Sequence, residues 1–573
     1  MADSERSGGV TRRDVLKQID GARAATVDSL TQAPSPSSGE PVALQYFHRD
    51  WTTIKEDIDR VSDWGFDAIW IQQPAEAKLT EANQEDTDDD GVGEPTLGYQ
   101  PIDLRNFNSE LGTEAELQTL IDTAHGEDVD VYLDTVLNHL ANAGYDAFPD
   151  FSSRHFHNNG GIDDDAWSFD PGNPDCFNAD GSPKDPDKIE CKPFQIENHD
   201  LLGLKDLRQN EDSPEGEHVR DELKRYLEDM AALGADGYRF DAVKHIPESF
   251  FADYANQWAE NMDMFRVGEA LSGSIEYLDG YVTAGPGMNA FDYPLHYAID
   301  SVFDSGDMQT LKGAGYIAQR PFRAMPFVEN HDTGGGPAQY DLAHAFVLTI
   351  EGYPVLYNPH PDWLLGYHPI KNMVWVKRNL AGGQTLWRHT DNDLAIYERE
   401  SNLLVGLNNS GSPQSKWVDT SWTATELKDY AGNAGNVTTE SDGRVEIPVP
   451  AEGWVFYAPT QDIDVSASGE AGVASGGEAT ISIAAQTVDQ VLIEDLWTDW
   501  SLSVTNSGGG TVTDDVADSG SVTVDYDSLQ LDASPSITVS MPSRYVGGEY
   551  VISVTVTNAD GDTAETTATI SIA

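Results

Sequence analysis

At 573 residues the chain is long for one domain, and roughly two to four are expected. Its 34 Lys plus Arg stand against 98 Asp plus Glu, a formal net charge of -64 that argues against nucleic acid and anionic membrane surfaces as partners. An acidic disordered chain lacks core material, whereas this one has 13 Trp, 22 Tyr and 19 Phe, so the charge reads as that of a folded protein suited to concentrated salt.

Near the start, Thr11-Arg12-Arg13-Asp14-Val15-Leu16-Lys17 has the form of a twin-arginine export signal. An apolar stretch of about 7–15 residues should follow. Gln18 to Val27 instead carries Asp20 and Arg23. Two readings stay open: a degenerate signal that sends the protein out of the cell, or a chance Arg-Arg pair in a tail that leaves it cytoplasmic. Ala33-Pro34-Ser35-Pro36-Ser37-Ser38-Gly39 reads as a linker, so residues 1–40 precede the first domain. No apolar run reaches about 18 residues, so no helix is expected to span a membrane.

Val42 to Phe47 and Phe66 to Ile71 predict strands one and two, joined by a helix marked by Ile54, Ile58 and Val61. Thr113-Glu114-Ala115-Glu116 is a capping box. Its helix carries Leu117, Leu120, Ile121 and Ala124 and is predicted to stop at Gly126. Strand three is predicted at Val129 to Leu133. Val219, Leu223, Tyr226, Leu227 and Met230 share one face of a later helix, and Gly234 sits where a C-terminus takes a left-handed residue. Strand four follows at Gly237 to Asp241, five at Met264 to Gly268, six near Asn289 to Tyr293, seven at Pro326 to Val328 and eight at Tyr353 to Tyr357. Eight strand–helix alternations over residues 41–382 are the pattern of an α/β fold, a (β/α)8 TIM-type barrel.

After strand three, residues 140–205 are too long for an ordinary loop and rich in Gly, Pro and Asp. They hold Cys176 and Cys191, compatible with one disulfide after export or with two buried thiols. Upstream, Asp86-Thr87-Asp88-Asp89-Asp90-Gly91 begins like a calcium loop, but Leu97 stands where its last ligand, a glutamate, is needed; a solvated charge run is the reading adopted. From Gly383 the rhythm changes, and Leu394 to Glu398, Leu403 to Leu407, Val445 to Val449 and Trp454 to Ala458 predict antiparallel β structure over 383–460. Residues 462–573 alternate cleanly and contain Asn558-Ala559-Asp560-Gly561, a hairpin turn, so they are predicted to form an immunoglobulin-like β-sandwich. Trp497 and Trp500 there fit either its core or a sugar-stacking surface, and the core is the reading adopted.

The chemistry gathers at strand ends. In Gly237-Tyr238-Arg239-Phe240-Asp241-Ala242-Val243-Lys244-His245 a strand presents an arginine and a carboxylate on one side. Alone, that pair fits a buried ion pair as well as a site. Three further stretches end in carboxylates or imidazoles: Asp134-Thr135-Val136-Leu137-Asn138-His139, Gly268-Glu269-Ala270, and Phe327-Val328-Glu329-Asn330-His331-Asp332. In this order and spacing the four resemble the signature regions of the α-amylase family of (β/α)8-barrel glycoside hydrolases, over about residues 40 to 460.

Retaining hydrolysis of a glycosidic bond takes a nucleophilic carboxylate and a proton donor about 5–5.5 Å apart. The resemblance implies that Asp241 is the nucleophile, Glu269 the acid and base, and Asp332 the carboxylate that grips sugar hydroxyls. Arg239 is expected to hold Asp241 ionised, since an adjacent cation lowers a carboxyl pKa. His139 and His331 are expected to donate to sugar hydroxyls, and Tyr99, in Leu97-Gly98-Tyr99-Gln100-Pro101, to stack beneath the cleaved ring. Leu97 replaces a histidine that many relatives carry there. Lys244 is placed on the leaving-group side, and Asp134 is given a structural role.

The resemblance also names residues 140–205 domain B and 383–460 domain C. It implies a calcium ion pinning domain B to the barrel, with Asn138, Glu197, Asp206 in Gly203-Leu204-Lys205-Asp206-Leu207, and the His245 backbone carbonyl as ligands. The implied activity is that of a monomeric, salt-adapted, endo-acting α-amylase. Its substrates would be the internal α-1,4 bonds of starch, glycogen and maltooligosaccharides. The Lys244-His245 pair favours this over α-glucosidase relatives. The alternatives are a cyclomaltodextrin-cleaving, oligosaccharide-cleaving or debranching relative, and an inactive carbohydrate-binding barrel.

Overall fold

The computed structural model describes residues 40–78, 97–162, 193–333, 335–358, 364–365, 367–459, 464–543, 548–558 and 563–572. Cys176, Cys191, the Asp86 to Gly91 run, the Arg12-Arg13 segment and the turn residues 559–561 lie outside them. Contacts divide the chain into two compact units, Met1–Glu400 and Ser401–Ala573. No helix among the described residues is long and apolar enough to cross a membrane.

The first unit is built on eight parallel strands: β1 (Ala43–Tyr46), β2 (Ala68–Ile71), β3 (Asp130–Thr135), β4 (Gly237–Phe240), β5 (Phe265–Gly268), β6 (Asn289–Phe291), β7 (Ala324–Met325) and β8 (Val355–Asn358). Their order is β7-β6-β5-β4-β3-β2-β1-β8. The ring closes through Tyr353 N–H to the Ala324 carbonyl at 3.1 Å and Val355 N–H to the Pro326 carbonyl at 3.0 Å. Strand seven lies two residues earlier than predicted. Pro326 has no N–H to give a ladder, so it contributes only its carbonyl at the strand's end. Inside the ring, Trp70, Tyr132, Phe291, Tyr293, Phe327 and Tyr353 pack with smaller residues into one buried cluster.

Two helices show how the sequence sets these elements. Pro214–Ala232 starts with Ser213 accepting from Gly216 N–H, and it buries Val219, Leu223, Tyr226, Leu227 and Met230, all five residues of the predicted face. Each such burial stabilises by roughly 2 kcal/mol before entropy is charged. Gly234, at φ +98°, then reverses the chain into β4. Glu114–Gly126 has both halves of its capping box. Gly126 is its last helical residue rather than its stop, and the left-handed position is Asp128, at φ +59°. The chain leaves the barrel after β3 and returns along a short antiparallel ladder that sets His139 opposite Asp206.

In the second unit, Leu403–Asn408, Glu426–Asp429 and Gly453–Pro459 are antiparallel partners in one sheet, and Gln414–Asp419 pairs with Arg444–Val449. The last segment is a β-sandwich, with one helical turn at Val516–Ser519, around Glu478–Glu494, a strand that pairs with Asp464–Gly469, Ser521–Ala533, Ser536–Ser540 and Gly548–Thr557. The core reading holds for one of the two tryptophans. Trp500 is 2% exposed and belongs to the sandwich core, whereas Trp497 is 41% exposed. The Trp497 ring lies 6.0 Å from that of Trp500 and meets the Tyr550 ring edge-on at 5.8 Å.

Candidate active site

Strand register brings the signature residues together. Asp134 on β3 lies beside Arg239 on β4, and Arg239 beside Val267 on β5, at the carboxyl ends of the strands. Arg239 is 1% exposed. Its Nη1 donates to Asp134 Oδ1 at 3.0 Å and Oδ2 at 3.1 Å, and to Asp241 Oδ1 at 2.7 Å. Its Nη2 faces Glu269 Oε2 at 3.2 Å, an ion-pair distance without hydrogen-bond alignment. The guanidinium also lies over the Trp70 ring at 4.9 Å, and Trp70 Nε1 donates to Asp134 Oδ2 at 3.2 Å.

One cation therefore serves three buried carboxylates. Burial pushes the Asp134 and Asp241 carboxyls up, and Arg239 opposes both shifts. Arg239, expected to hold Asp241 ionised, does favour the carboxylate, but burial, first, and the neighbouring carboxylates push the carboxyl the other way and give a net upward shift.

After Asp241 the backbone turns sharply. Ala242 is left-handed at φ +48°, a conformation costing a non-glycine residue about 1 kcal/mol or more. The turn aims the Ala242 N–H at Glu269 Oε2, 3.0 Å away. Tyr293 Oη lies 3.3 Å from Glu269 Oε1, and Asn330 Nδ2 lies 3.1 Å from Tyr293 Oη. Asp332 completes the acid group. Burial and then the Glu269 carboxylate, to which it is hydrogen-bonded, push its carboxyl up to about 7. Its side chain is nonetheless 40% exposed, which leaves it open to the cleft.

On the other side, Tyr99 O–H donates to Asp134 Oδ2 at 2.8 Å. Its single proton is then used, so His331 Nε2, 2.7 Å away, must carry the hydrogen between them. His331 Nδ1 in turn accepts from Gln45 Nε2 at 2.8 Å. The rings of Tyr99 and His331 stack at 5.5 Å, and burial holds the imidazole well below its usual range, hence neutral. Asp332 Oδ2 lies 3.2 Å from His331 Nε2, which joins this chain to the acid group.

His139 is placed differently from expectation. Its Nε2 meets the Tyr99 carbonyl at 3.0 Å and its Nδ1 the Asn138 Nδ2 at 3.2 Å, so both ring nitrogens have protein partners. Burial lowers it to about 4, and the neutral ring fixes the backbone beneath Tyr99. Lys244 is half-buried in the turn after Ala242, where its carbonyl accepts from Tyr277 O–H at 3.3 Å.

The residues assigned to calcium fall into two neighbouring groups. Asn138 and Asp206 adjoin across the ladder, with Leu207 N–H bonded to the Asn138 carbonyl at 3.0 Å. His245 Nδ1 meets the Ile196 carbonyl at 2.9 Å, next to Glu197. Among the described residues no three His, Cys, Asp or Glu side chains converge as a metal site. Two observations nevertheless fit a hard cation. Asn138 Oδ1 is buried without a hydrogen-bond partner, and Asp206 is a carboxylate only 1% exposed. Burial pushes both Asp206 and Glu197 up to about 7. Asp206 Oδ2 is engaged by His157 Nδ1 at 2.5 Å, a partner the sequence reading did not single out.

Trp70, Tyr293, Asn330 and Gln45 are the other functional neighbours missed. Asn330 sat inside a quoted motif, and Tyr293 ended a predicted strand. Trp70 and Gln45 carried no local signal beyond lying on barrel strands.

Residues 37–358 match the family described as "Alpha amylase, catalytic domain", and residues 403–458 match "Alpha-amylase C-terminal". The α-amylase of Bacillus licheniformis is 29% identical over 490 residues, 72% of this chain and 90% of that protein. A cyclomaltodextrin glucanotransferase of Geobacillus stearothermophilus is 26% identical over 440 residues, 66% of this chain and 56% of that protein. The solved α-amylase from Malbranchea cinnamomea shares the fold, with a TM-score of 0.58 and 18% identity over 74% of this chain and 97% of that one.

Proposed function

The chain belongs to the α-amylase family of glycoside hydrolases, and from that premise we propose that it is an endo-acting α-amylase cleaving internal α-1,4 bonds of starch by double displacement. One observation carries this reading: the Arg239 guanidinium, which binds Asp134 and Asp241 and faces Glu269 across the strand ends. Such a cluster places a nucleophile and a proton donor on adjacent strands.

In the first step an Asp241 oxygen attacks the anomeric carbon while Glu269 gives its proton to the leaving oxygen, so one C–O bond forms as another breaks. In the second, Glu269 takes a proton from water, and that water's oxygen displaces Asp241. Asp332, open to the cleft, grips hydroxyls of the distorted ring, and Tyr99 stacks beneath it; His331, expected to donate to those hydroxyls, has both ring nitrogens engaged by Tyr99 and Gln45 and instead holds Tyr99 in place. His139 and Lys244 complete the subsite walls. Calcium bound by Asn138, Asp206, Glu197 and the His245 carbonyl would supply a rigid electrostatic cross-link rather than a reacting group. The net charge of -64 supports work in high salt.

Similarity to cyclomaltodextrin glucanotransferases favours, as a second reading, transfer to a sugar acceptor in place of water. The products from soluble starch in molar salt test the two. Endo-hydrolysis abolishes iodine colour well before much reducing sugar appears and yields linear maltooligosaccharides. Cyclic products with little new reducing sugar would overturn it.

A further inference from the structure

We propose that Tyr293 is the positioning residue of the proton donor: its hydroxyl holds one oxygen of Glu269 and so fixes how that carboxyl offers its proton. The inference rests on Glu269 being the donor.

The hydrogen directions follow from the neighbours. Asn330 Oδ1 accepts from the backbone N–H groups of Asp332 at 2.9 Å and Thr333 at 3.1 Å, which settles which end of the amide is oxygen. Its Nδ2 must then donate to Tyr293 Oη, 3.1 Å away. The tyrosine oxygen is thereby an acceptor, and its own hydrogen is left for Glu269 Oε1 at 3.3 Å. Glu269 Oε2 already receives Ala242 N–H at 3.0 Å. Each carboxyl oxygen thus has a hydrogen-bond donor supplied by the protein, and the two together restrain rotation of the group about its last bond. The further neighbour of the carboxyl is Asp332, to which it is hydrogen-bonded and whose side chain opens to the cleft.

The mount is stiff. Tyr293 is fully buried and opens the helix Tyr293–Ser305. The preceding Asp292, also fully buried, accepts from three backbone N–H groups: Leu295 at 3.0 Å, Tyr316 at 2.8 Å and Ile317 at 2.7 Å. The Tyr293 ring meets Phe327 edge-on at 5.1 Å. Burial drives the phenol well above its usual range, so Tyr293 keeps its own proton throughout turnover. It stabilises the carboxylate that Glu269 becomes after protonating the leaving oxygen, and it holds that carboxylate ready to deprotonate water.

Tyr293→Phe removes only the hydroxyl. It is compared with wild type, Glu269→Gln and the double variant on starch and on maltosyl fluoride, whose leaving group needs little protonation. On starch, kcat should fall about tenfold with KM unchanged, and the melting temperature should fall by only a few degrees, because Asn330 Nδ2 also loses its acceptor. In the Glu269→Gln background the same change should cost nothing further on maltosyl fluoride, because a residue acting through Glu269 has nothing left to act on. Wild-type kcat in Tyr293→Phe would overturn the inference, as would an equal further loss in the double variant. A loss carried by KM with kcat unchanged would also overturn it, by showing a role in binding rather than in proton donation. Full starch turnover in Glu269→Gln would instead overturn the donor reading itself, and this inference with it.

Discussion

Replacing Arg239 with methionine removes the one cation that the three acids share while keeping an unbranched apolar stem. Arg239 and Asp134 side chains are 1% and 0% exposed, and Asp241 and Glu269 are 11% and 9% exposed. Removing one partner of such a buried network costs about 3–5 kcal/mol, because the remaining charges stay desolvated without a counter-charge. For a unit the size of Met1–Glu400, that loss lowers the melting temperature by roughly 5 °C. The penalty depends on pH in a definite direction. Burial already raises Asp134 and Asp241 above their unfolded-chain values, and losing Arg239 raises them further. Groups raised on folding contribute stability at low pH and lose it as pH rises through their folded values. The gap between variant and wild type should therefore be full at pH 8 and narrow toward pH 5, as the orphaned carboxyls bind protons. Arg105→Met is the control. Its Asp229 partner lies at 2.8 Å, but both side chains are over a third exposed, so this loss should stay below about 1 kcal/mol at either pH. Thermal scans of both variants at the two pH values measure the effect. An Arg239→Met penalty no larger than the control's, or one independent of pH, would refute the argument.

Calcium should raise the melting temperature of chelator-treated protein, by an amount equivalent to about 2.7 kcal/mol at a hundredfold excess over Kd. Asp206→Ala and Asn138→Ala should each abolish that gain, and an unchanged gain in both would place the ion elsewhere. Stability and activity should climb steeply between 0.1 M and 2 M NaCl, as the screening length falls from about 10 Å to 3 Å or less. Equal melting temperatures at the two concentrations would contradict this. In the last sandwich, Trp500→Ala should cost about 3–5 kcal/mol and Trp497→Ala much less. The reverse ranking would show that burial does not separate the two.

Where strands begin and end in the barrel was legible because apolar runs alternate with helical periodicity, and each run that ends in acids carries its chemistry at that end. Asp134, Arg239, Asp241 and Glu269 meet because β3, β4 and β5 are neighbours in register, which their order along the chain suggested. The rest depends on distance across the ring. Nothing local ties Tyr293 to Glu269, 24 positions earlier, or Gln45 to His331, 286 positions later. The engagement of His139 with the Tyr99 carbonyl was hidden for the same reason. Motif spacing shows which residue types gather, not which nitrogen is already spent. Trp497 and Trp500 lie three residues apart and share Tyr550 as a neighbour, yet one is exposed and the other buried, a distinction that alternation alone did not resolve.

The central claim is that Asp241 forms a covalent bond to the sugar while Glu269 serves as acid and base. Its most direct test is to treat the protein with a fluorinated maltosyl fluoride that traps the glycosyl-enzyme, digest it, and locate the added mass by peptide sequencing. The expected result is a single modified residue, Asp241, with the adduct absent from Asp241→Asn. A label on Glu269 or Asp332, or turnover of that substrate with no adduct at any stage, would contradict the assignment.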